Sequence, residues 1–412
     1  MQKKNTKDIY ILAIDGGGIR GIVPVMILQE MERILAELGD PRAVSSCFDL
    51  IAGTSTGGLI ALALAAPHDR LTLEFDEDPK ELKDRAKAHS LIDMYKLRFI
   101  ANRQITPEPQ EEVVLQTDSQ VTEEKEVTEL EPQSIFSKLK DYVRKRHKAG
   151  EKTQLSEYLN LSSILDIYEK QGERIFPKSS FRQIQSISQV FGEKYDVHSL
   201  EELLHRIFGD LIMRDATIPV LVTTYDCYGG KPFMISSYGK EQFPMKAAAR
   251  ATSAAPTYFT PLTITPIDQD QDTYCLIDGG IAVNNPALVA YIEAKKLFPD
   301  AAHYHILSLG TASTKFSLKK DQYVGGGMIG WMDPAKGSPL YQAMRSSQYG
   351  LTDYALNSLP EVSYHRMDGI LGRGHIRLDD ASVENITLLK ELGEKMIEEH
   401  RDQLKSFCEQ LL

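Results

Sequence analysis

Two short apolar runs constrain this chain more than anything else in it. Each ends in a glycine-rich turn and is followed by an apolar stretch at helical spacing. The first is Ile9 to Ile14, which runs into Asp15-Gly16-Gly17-Gly18-Ile19-Arg20-Gly21. The second is Phe48-Asp49-Leu50-Ile51-Ala52, which runs into Gly53-Thr54-Ser55-Thr56-Gly57-Gly58. The first run, continuous and rich in β-branched residues, reads as a buried parallel strand, and residues 48–52 read as a second strand. The apolar positions Ile22, Val25, Met26, Ile34, Leu35 and Leu38 then mark a helix, and residues 58–66 a second one. Pro24 is tolerable there only near the first turn. Strand, turn and helix, twice over, predict an α/β fold with helices on both faces of a mostly parallel sheet.

The same alternation returns further on. The sequence predicts strands over 218–224, 274–277 and 303–309, and helices over 246–252 and 383–408. The stretch between is different. Residues 104–134 hold nine acidic residues and a single lysine, with Pro107, Pro109 and Pro132, and read as an exposed acidic insertion at about 103–134. A basic stretch follows, from Lys138 to Lys148, and is read as a solvated helix face or a docking patch.

Composition excludes some functions. The net charge is −11, from 47 basic and 58 acidic residues, which argues against a nucleic-acid binder. Cys47, Cys227, Cys275 and Cys408 are scattered without metal-ligand spacing, and they read as free thiols. The polar N-terminus and the six-residue apolar run behind it do not make a signal peptide. No segment approaches the apolar length of a membrane span. The expectation is a soluble, cytoplasmic chain, with peripheral membrane contact or export without a leader left open.

The two glycine turns carry the chemistry. Gly53-Thr54-Ser55-Thr56-Gly57 can hold Ser55 on a sharp strand-to-helix turn, exposed for attack, with Gly53 and Gly57 placed where a side chain would clash. Gly16 to Gly18 can aim backbone N–H groups at an anion at a helix N-terminus, and Arg20 adds fixed positive charge. A nucleophile and an oxyanion hole describe acyl transfer. The first turn also fits the G-x-G-x-x-G dinucleotide fingerprint. Asp15 directly before the glycines counts against that reading, as does the missing acid at the end of a second strand. The serine needs a base. Of the downstream histidines, His303 and His305 share a strand face and read as structural, and only His375 sits in a glycine turn. Asp278 ends a strand and precedes Gly279-Gly280, so its carboxylate can reach the carboxyl edge of the sheet, where open α/β sheets place their sites.

Taken together, Asp15 to Gly21, Gly53 to Gly57 and Asp278-Gly279-Gly280 resemble the patatin-like phospholipase family. Ala249 to Phe259, Asp278 to Pro286 and Asp379-Asp380-Ala381-Ser382 extend the likeness, which fails over about 67–160. The resemblance implies a three-layer α/β/α fold and a Ser55–Asp278 dyad without histidine. It also implies an oxyanion hole lined by Gly16, Gly17, Gly18 and Arg20, to which Thr56 is added as the residue after the nucleophile. The implied activity is hydrolysis of carboxylic esters of phospholipids or lysophospholipids, without metal or cofactor and with transient contact to a membrane surface. A non-catalytic lipid-binding or storage protein is the main alternative, and a dinucleotide-binding oxidoreductase the weaker one. The expected organisation is a catalytic domain over 8–312 and a C-terminal lid and helical extension over 313–412. Residues 322–337, glycine-rich and carrying Met328, Ile329, Trp331 and Met332, are read either as an apolar flap over the site or as core.

Overall fold

The computed structural model describes residues 7–67, 160–175, 195, 197–268, 272–312, 327–332, 338–371 and 378–412. All of these belong to one compact unit. The acidic insertion, the basic stretch and His375 lie outside the described residues.

The elements follow in chain order. Strand β1 is Ile9–Ile14, helix α1 Ile22–Glu37, β2 Leu50–Thr54 and α2 Thr56–Ala65. Then come α3 Leu161–Ile175, α4 His198–Phe208, β3 Val220–Asp226, β4 Lys231–Ser236 and α5 Met245–Thr252. The rest are β5 Leu262–Ile264, β6 Tyr274–Asp278, α6 Ala287–Leu297, β7 Tyr304–Leu309, α7 Pro339–Asn357, β8 Val362–Met367, α8 Val383–Glu399 and α9 Arg401–Gln410. Of the expected flap, Gly327–Met332 forms one short helical stretch, with Met328 and Met332 exposed and Trp331 half-buried.

The hydrogen-bonded path through the sheet runs β5-β6-β3-β2-β1-β7-β8, with β4 also on β3. β3, β2, β1, β7 and β8 are mutually parallel, and β4, β5 and β6 are antiparallel to their partners. From β1 the chain first steps outward through β2 to β3, and later returns to the other side of β1 as β7 and β8. The topological switch therefore falls beside β1, where crevices open at the carboxyl ends of such strands. The loop after β1 is Asp15 to Gly21. β8 lies beyond residue 312, so the sheet draws on both of the expected segments.

Both faces of the sheet are covered. Ile9, Ile11 and Ala13 of β1 join Leu50, Ala52, Leu221 and Ile306 on one face, against Ala287, Ala290, Tyr291 and Ala294 of α6. Strand alternation turns Leu12, Ile14, Ile51, Val222 and Leu307 to the other face, and all are fully buried. This is the three-layer α/β/α arrangement, and it explains why the strands read as unbroken apolar runs.

The register along β3 creates the site. One edge of β3 is taken by β4, from Leu221 to Asp226. The other edge is shared: β2 holds Val220 to Thr223, and β6 holds Thr224 to Asp226. β2 thus ends with Thr54 opposite Thr223, and β6 ends with Asp278 opposite Thr224. The residue after Thr54 is Ser55. Two strands running in opposite directions deliver Ser55 and Asp278 to the same point.

Candidate active site

Ser55 stands between β2 and α2 with no loop on either side. Its backbone takes φ +54° and ψ −122°, a region non-glycine residues rarely occupy and which costs of order 1–3 kcal/mol. The surroundings hold it there. The Ser55 amide donates to Thr252 Oγ1 at 2.8 Å, and that hydroxyl donates to the Thr223 carbonyl at 2.7 Å. Gly53 and Gly57 are fixed by close approach: a Cβ on Gly53 would lie 2.1 Å from the Gly57 carbonyl oxygen, and one on Gly57 2.2 Å from that of Ile14. The helix therefore starts at Thr56, two residues earlier than its apolar pattern announces.

Asp278 is buried, and the Ser55 side chain lies near enough to favour its charged carboxylate. The Gly280 amide donates to the same carboxylate at 2.7 Å. Burial pushes the Asp278 carboxyl up to about 6, against the pull of these two groups and of the Arg345 guanidinium. Asp278 is thus still ionised at neutral pH, but holds a proton far more readily than an exposed aspartate.

The loop after β1 is clamped beside this pair. The Gly16 amide donates to the Asn284 carbonyl at 3.2 Å, Asn284 Nδ2 returns to the Gly16 carbonyl at 3.2 Å, and Thr311 Oγ1 donates to it at 2.9 Å. Gly16 therefore contributes closeness rather than a free donor: a Cβ there would lie 3.2 Å from Ser55 Cβ. Gly18 has φ +60°, and the next amide, Ile19, donates to the Leu378 carbonyl at 2.9 Å. Among the described residues, no hydrogen bond engages the amides of Gly17 and Gly18. Thr56, first in α2, has an amide that the helix itself leaves unused. Its hydroxyl is bonded to Tyr168 of α3. Arg20 is buried and its Nε donates back to the Gly17 carbonyl at 3.2 Å, so it stiffens the loop from behind. Burial lowers its pKa to about 10, which leaves it charged.

Beneath the loop, Asp15 is fully buried. Arg366 of β8 grips it with two bonds, 2.9 and 2.6 Å, and also reaches Asp368 at 2.8 Å. Burial pushes the Asp15 carboxyl up to about 6 even so, and the guanidinium keeps it ionised at neutral pH. A buried pair of this kind is costly to break from one side. Arg366→Met should therefore lose about 3–5 kcal/mol in chemical denaturation, and Asp15→Asn on top of it should recover a large part.

The histidines take other posts. His303 bonds Ser363 Oγ at 2.8 Å, His305 stacks on Tyr10 and approaches Asp8 at 3.4 Å, and His365 packs against Phe407. The sequence reading missed Thr252, Asn284, Tyr168, Arg345 and Arg366 as parts of the site. Thr252 and Asn284 fall inside the stretches that carried the family likeness, which was the available signal.

Comparison with known proteins agrees with this architecture. The sequence pattern of the family described as Patatin-like phospholipase matches residues 12–291, well over half of the chain. The chain belongs to that family. Patatin-like protein 2 of Arabidopsis thaliana is 27% identical over 435 residues, covering 97% of this chain and 86% of the relative. Probable inactive patatin-3-Kuras 1 of Solanum tuberosum is 23% identical over 418 residues, covering 94% and 86%. Among solved structures, VipD from Legionella pneumophila shares 13% identity and covers 96% of this chain and 67% of its own, with a TM-score of 0.31. That score is too low to carry a structural argument. With a probable inactive protein among the relatives, activity has to be argued from the residues. No helix among the described residues is long and apolar enough to cross a membrane.

Proposed function

We propose that the protein is a lipid acyl hydrolase of the phospholipase A or lysophospholipase type. It cleaves carboxylic esters of glycerophospholipids through a Ser55–Asp278 dyad and an acyl-enzyme. The observation that carries this reading is the strained Ser55 at the end of β2, brought beside the buried Asp278 carboxylate where β2 and β6 meet on β3. A storage protein has no use for backbone strain at a serine, whereas a nucleophile does.

In this mechanism Ser55 Oγ attacks the ester carbonyl carbon as Asp278 takes its proton. The oxyanion that forms is met by the amides of Gly17, Gly18 and Thr56, at the positive end of α2. Collapse expels the alcohol, which leaves with the proton from Asp278, and the acyl group stays on Ser55. Water then attacks the acyl-enzyme, Asp278 accepts the water's proton and returns one to Ser55, and the fatty acid departs. Gly16, Gly53 and Gly57 let the reacting backbones approach, and Arg20 holds the loop in shape. The catalytic domain spans 8–312, and the segment 313–412 extends it with the rest of the sheet and a helical layer. The protein works on a membrane surface that it contacts transiently.

Two measurements test this reading. Incubation with a mixed lipid extract, with products resolved by mass, should release free fatty acid and a lyso- or deacylated product. Release of neither would dismiss the hydrolase in favour of a lipid-binding protein. The pH profile tests the base. Asp278 must be ionised to accept a proton and its carboxyl is raised to about 6. The rate should therefore be flat above about pH 7 and fall about tenfold per unit well below 6. A profile that stays flat down to pH 4.5 would contradict a base with this environment.

A further inference from the structure

Helix α7 is built inside out. Arg345, Tyr349, Thr352 and Leu356 follow one another at i, i+4, i+7 and i+11, so they share one stripe, and that stripe faces the protein. Thr352 and Leu356 are buried, and Arg345 Nη2 donates to Tyr349 Oη at 3.3 Å. The same side grips the loop that follows Asp278. Asn284 Nδ2 donates to Tyr349 Oη, the Asn284 amide donates to Gln348 Oε1 at 3.2 Å, and Gln348 Nε2 donates to the Ile281 carbonyl at 2.8 Å.

The opposite stripe is Leu340, Met344, Ser347, Leu351 and Tyr354, at the same helical spacing. Its large side chains are exposed, Leu351 by 64% and Tyr354 by 75%, and so is Tyr341 beside them. A surface helix ordinarily turns its polar residues outward and its apolar ones in. Met328 and Met332 belong to the short helical stretch that packs on α7, and both are exposed. So is Ile281, in the loop that Gln348 holds. Single exposed apolar side chains are ordinary, but a group of them on adjoining elements marks an interaction surface.

Charge indicates the partner. α7 holds two charged residues. Arg345 reaches Tyr349 on the inner stripe, and Asp353 accepts from Tyr364 Oη of β8 at 2.9 Å. The outward stripe carries none, in a chain of net charge −11. It offers no cation to the chain's own acidic stretch at 104–134, and no carboxylate to repel lipid phosphates. Uncharged leucine, methionine and tyrosine side chains are the kind that settle at the boundary between headgroups and acyl chains.

We propose that the outward face of α7, together with Met328 and Met332, is the surface on which this protein docks to a lipid bilayer. The proposal rests on the hydrolase reading above and adds to it which face meets the lipid aggregate. The inner stripe of the same helix holds the Asp278 loop, so docking sets that loop one helix diameter, about 10 Å, beneath the lipid.

Met344→Glu combined with Leu351→Glu tests this on the full chain, with vesicles of phosphatidylcholine. Co-sedimentation should show partition onto the vesicles lowered at least about tenfold, since two apolar side chains that enter the lipid are replaced by charges. Wild-type binding should be the same at low and high salt, because the face carries no charge. Hydrolysis of the vesicle lipid should fall with binding, while kcat/KM for p-nitrophenyl butyrate, a dissolved ester, stays at the wild-type value. Leu340→Glu with Tyr354→Glu asks the same question should the first pair fail to fold. Vesicle binding absent from wild type, or undiminished in a folded variant, overturns the proposal. An equal loss on the two substrates does so too, as does a wild-type dimer that the variant splits without lipid. A denaturation midpoint lowered in both pairs means that the chain itself covers the face, and overturns it as well. Docking and catalysis fail separately. A protein that hydrolyses neither ester yet binds vesicles through this stripe loses the hydrolase and keeps the surface. One that hydrolyses p-nitrophenyl butyrate, with vesicle binding indifferent to the stripe, does the reverse.

Discussion

Ser55→Ala should lower ester turnover by about 10⁶-fold, the scale on which removing the nucleophile of a serine hydrolase acts. The fold should be untouched. Alanine keeps the Cβ and the same φ of +54°, and the amide that bonds Thr252 Oγ1 remains. Denaturation midpoints should agree with wild type to within about 0.5 kcal/mol. Ser55→Gly is the informative companion. It removes the same hydroxyl but also relieves the backbone strain, so it should be equally inactive and more stable by about 1 kcal/mol. An inactive pair that differs in stability in this direction shows that the strain was held for the sake of the serine.

Asp278→Asn should lower kcat by about 10⁴-fold or more, since an amide cannot accept the serine proton. Its effect on stability has the opposite sign. Burial raises the folded-state pKa of Asp278 from 3.8 to about 6. A group shifted upward adds stability below its unfolded pKa and loses it as pH rises through the folded value. At pH 7 the buried charge therefore costs up to about 3 kcal/mol, part of which Asn removes. The variant should be dead and hardier at pH 7, with the stability gain shrinking as the pH is lowered toward 4. Asp278→Asn retaining more than a tenth of wild-type turnover would remove Asp278 as the base. Single replacements of His303, His305 or His365 should cost far less, because His303 bonds Ser363, His305 approaches Asp8 and His365 packs edge-on against Phe407.

The parts of the site that could be read from the sequence share one property: a local pattern suffices to define them. Ile9 to Ile14 and Leu50 to Ala52 are buried on both faces, so they read as unbroken apolar runs. The glycines beside them are forced by contacts within a few residues of chain or across adjacent strands, as at Gly53 and Gly57. Asp278 was legible for the same reason, as an acid at the end of a strand before two glycines. What could not be read depends on distance along the chain. β8 reads Val-Ser-Tyr-His-Arg-Met, at the edge of the sheet and half-buried, with no apolar run to announce it. The ion pair that seats the first glycine loop joins Asp15 to Arg366, 351 residues away. No local rule connects them. The positions of the strand and helix ends around Ser55 also moved, to Thr54 and Thr56, because the elbow uses the last strand residue and the first helical one as its two arms. The meeting of Ser55 with Asp278 rests on β2 and β6 sharing one edge of β3. That is a fact of register, which no spacing along the chain encodes.

The most direct test of the central claim is to find where an electrophile lands. A fluorophosphonate mimics the ester carbonyl and bonds covalently to an activated serine. Peptide mass analysis of the labelled protein should place the adduct on Ser55 alone, at one equivalent per chain. Asp278→Asn should label much more slowly, and Ser55→Ala not at all. An adduct on another residue, or labelling that persists undiminished in Ser55→Ala, would contradict the account.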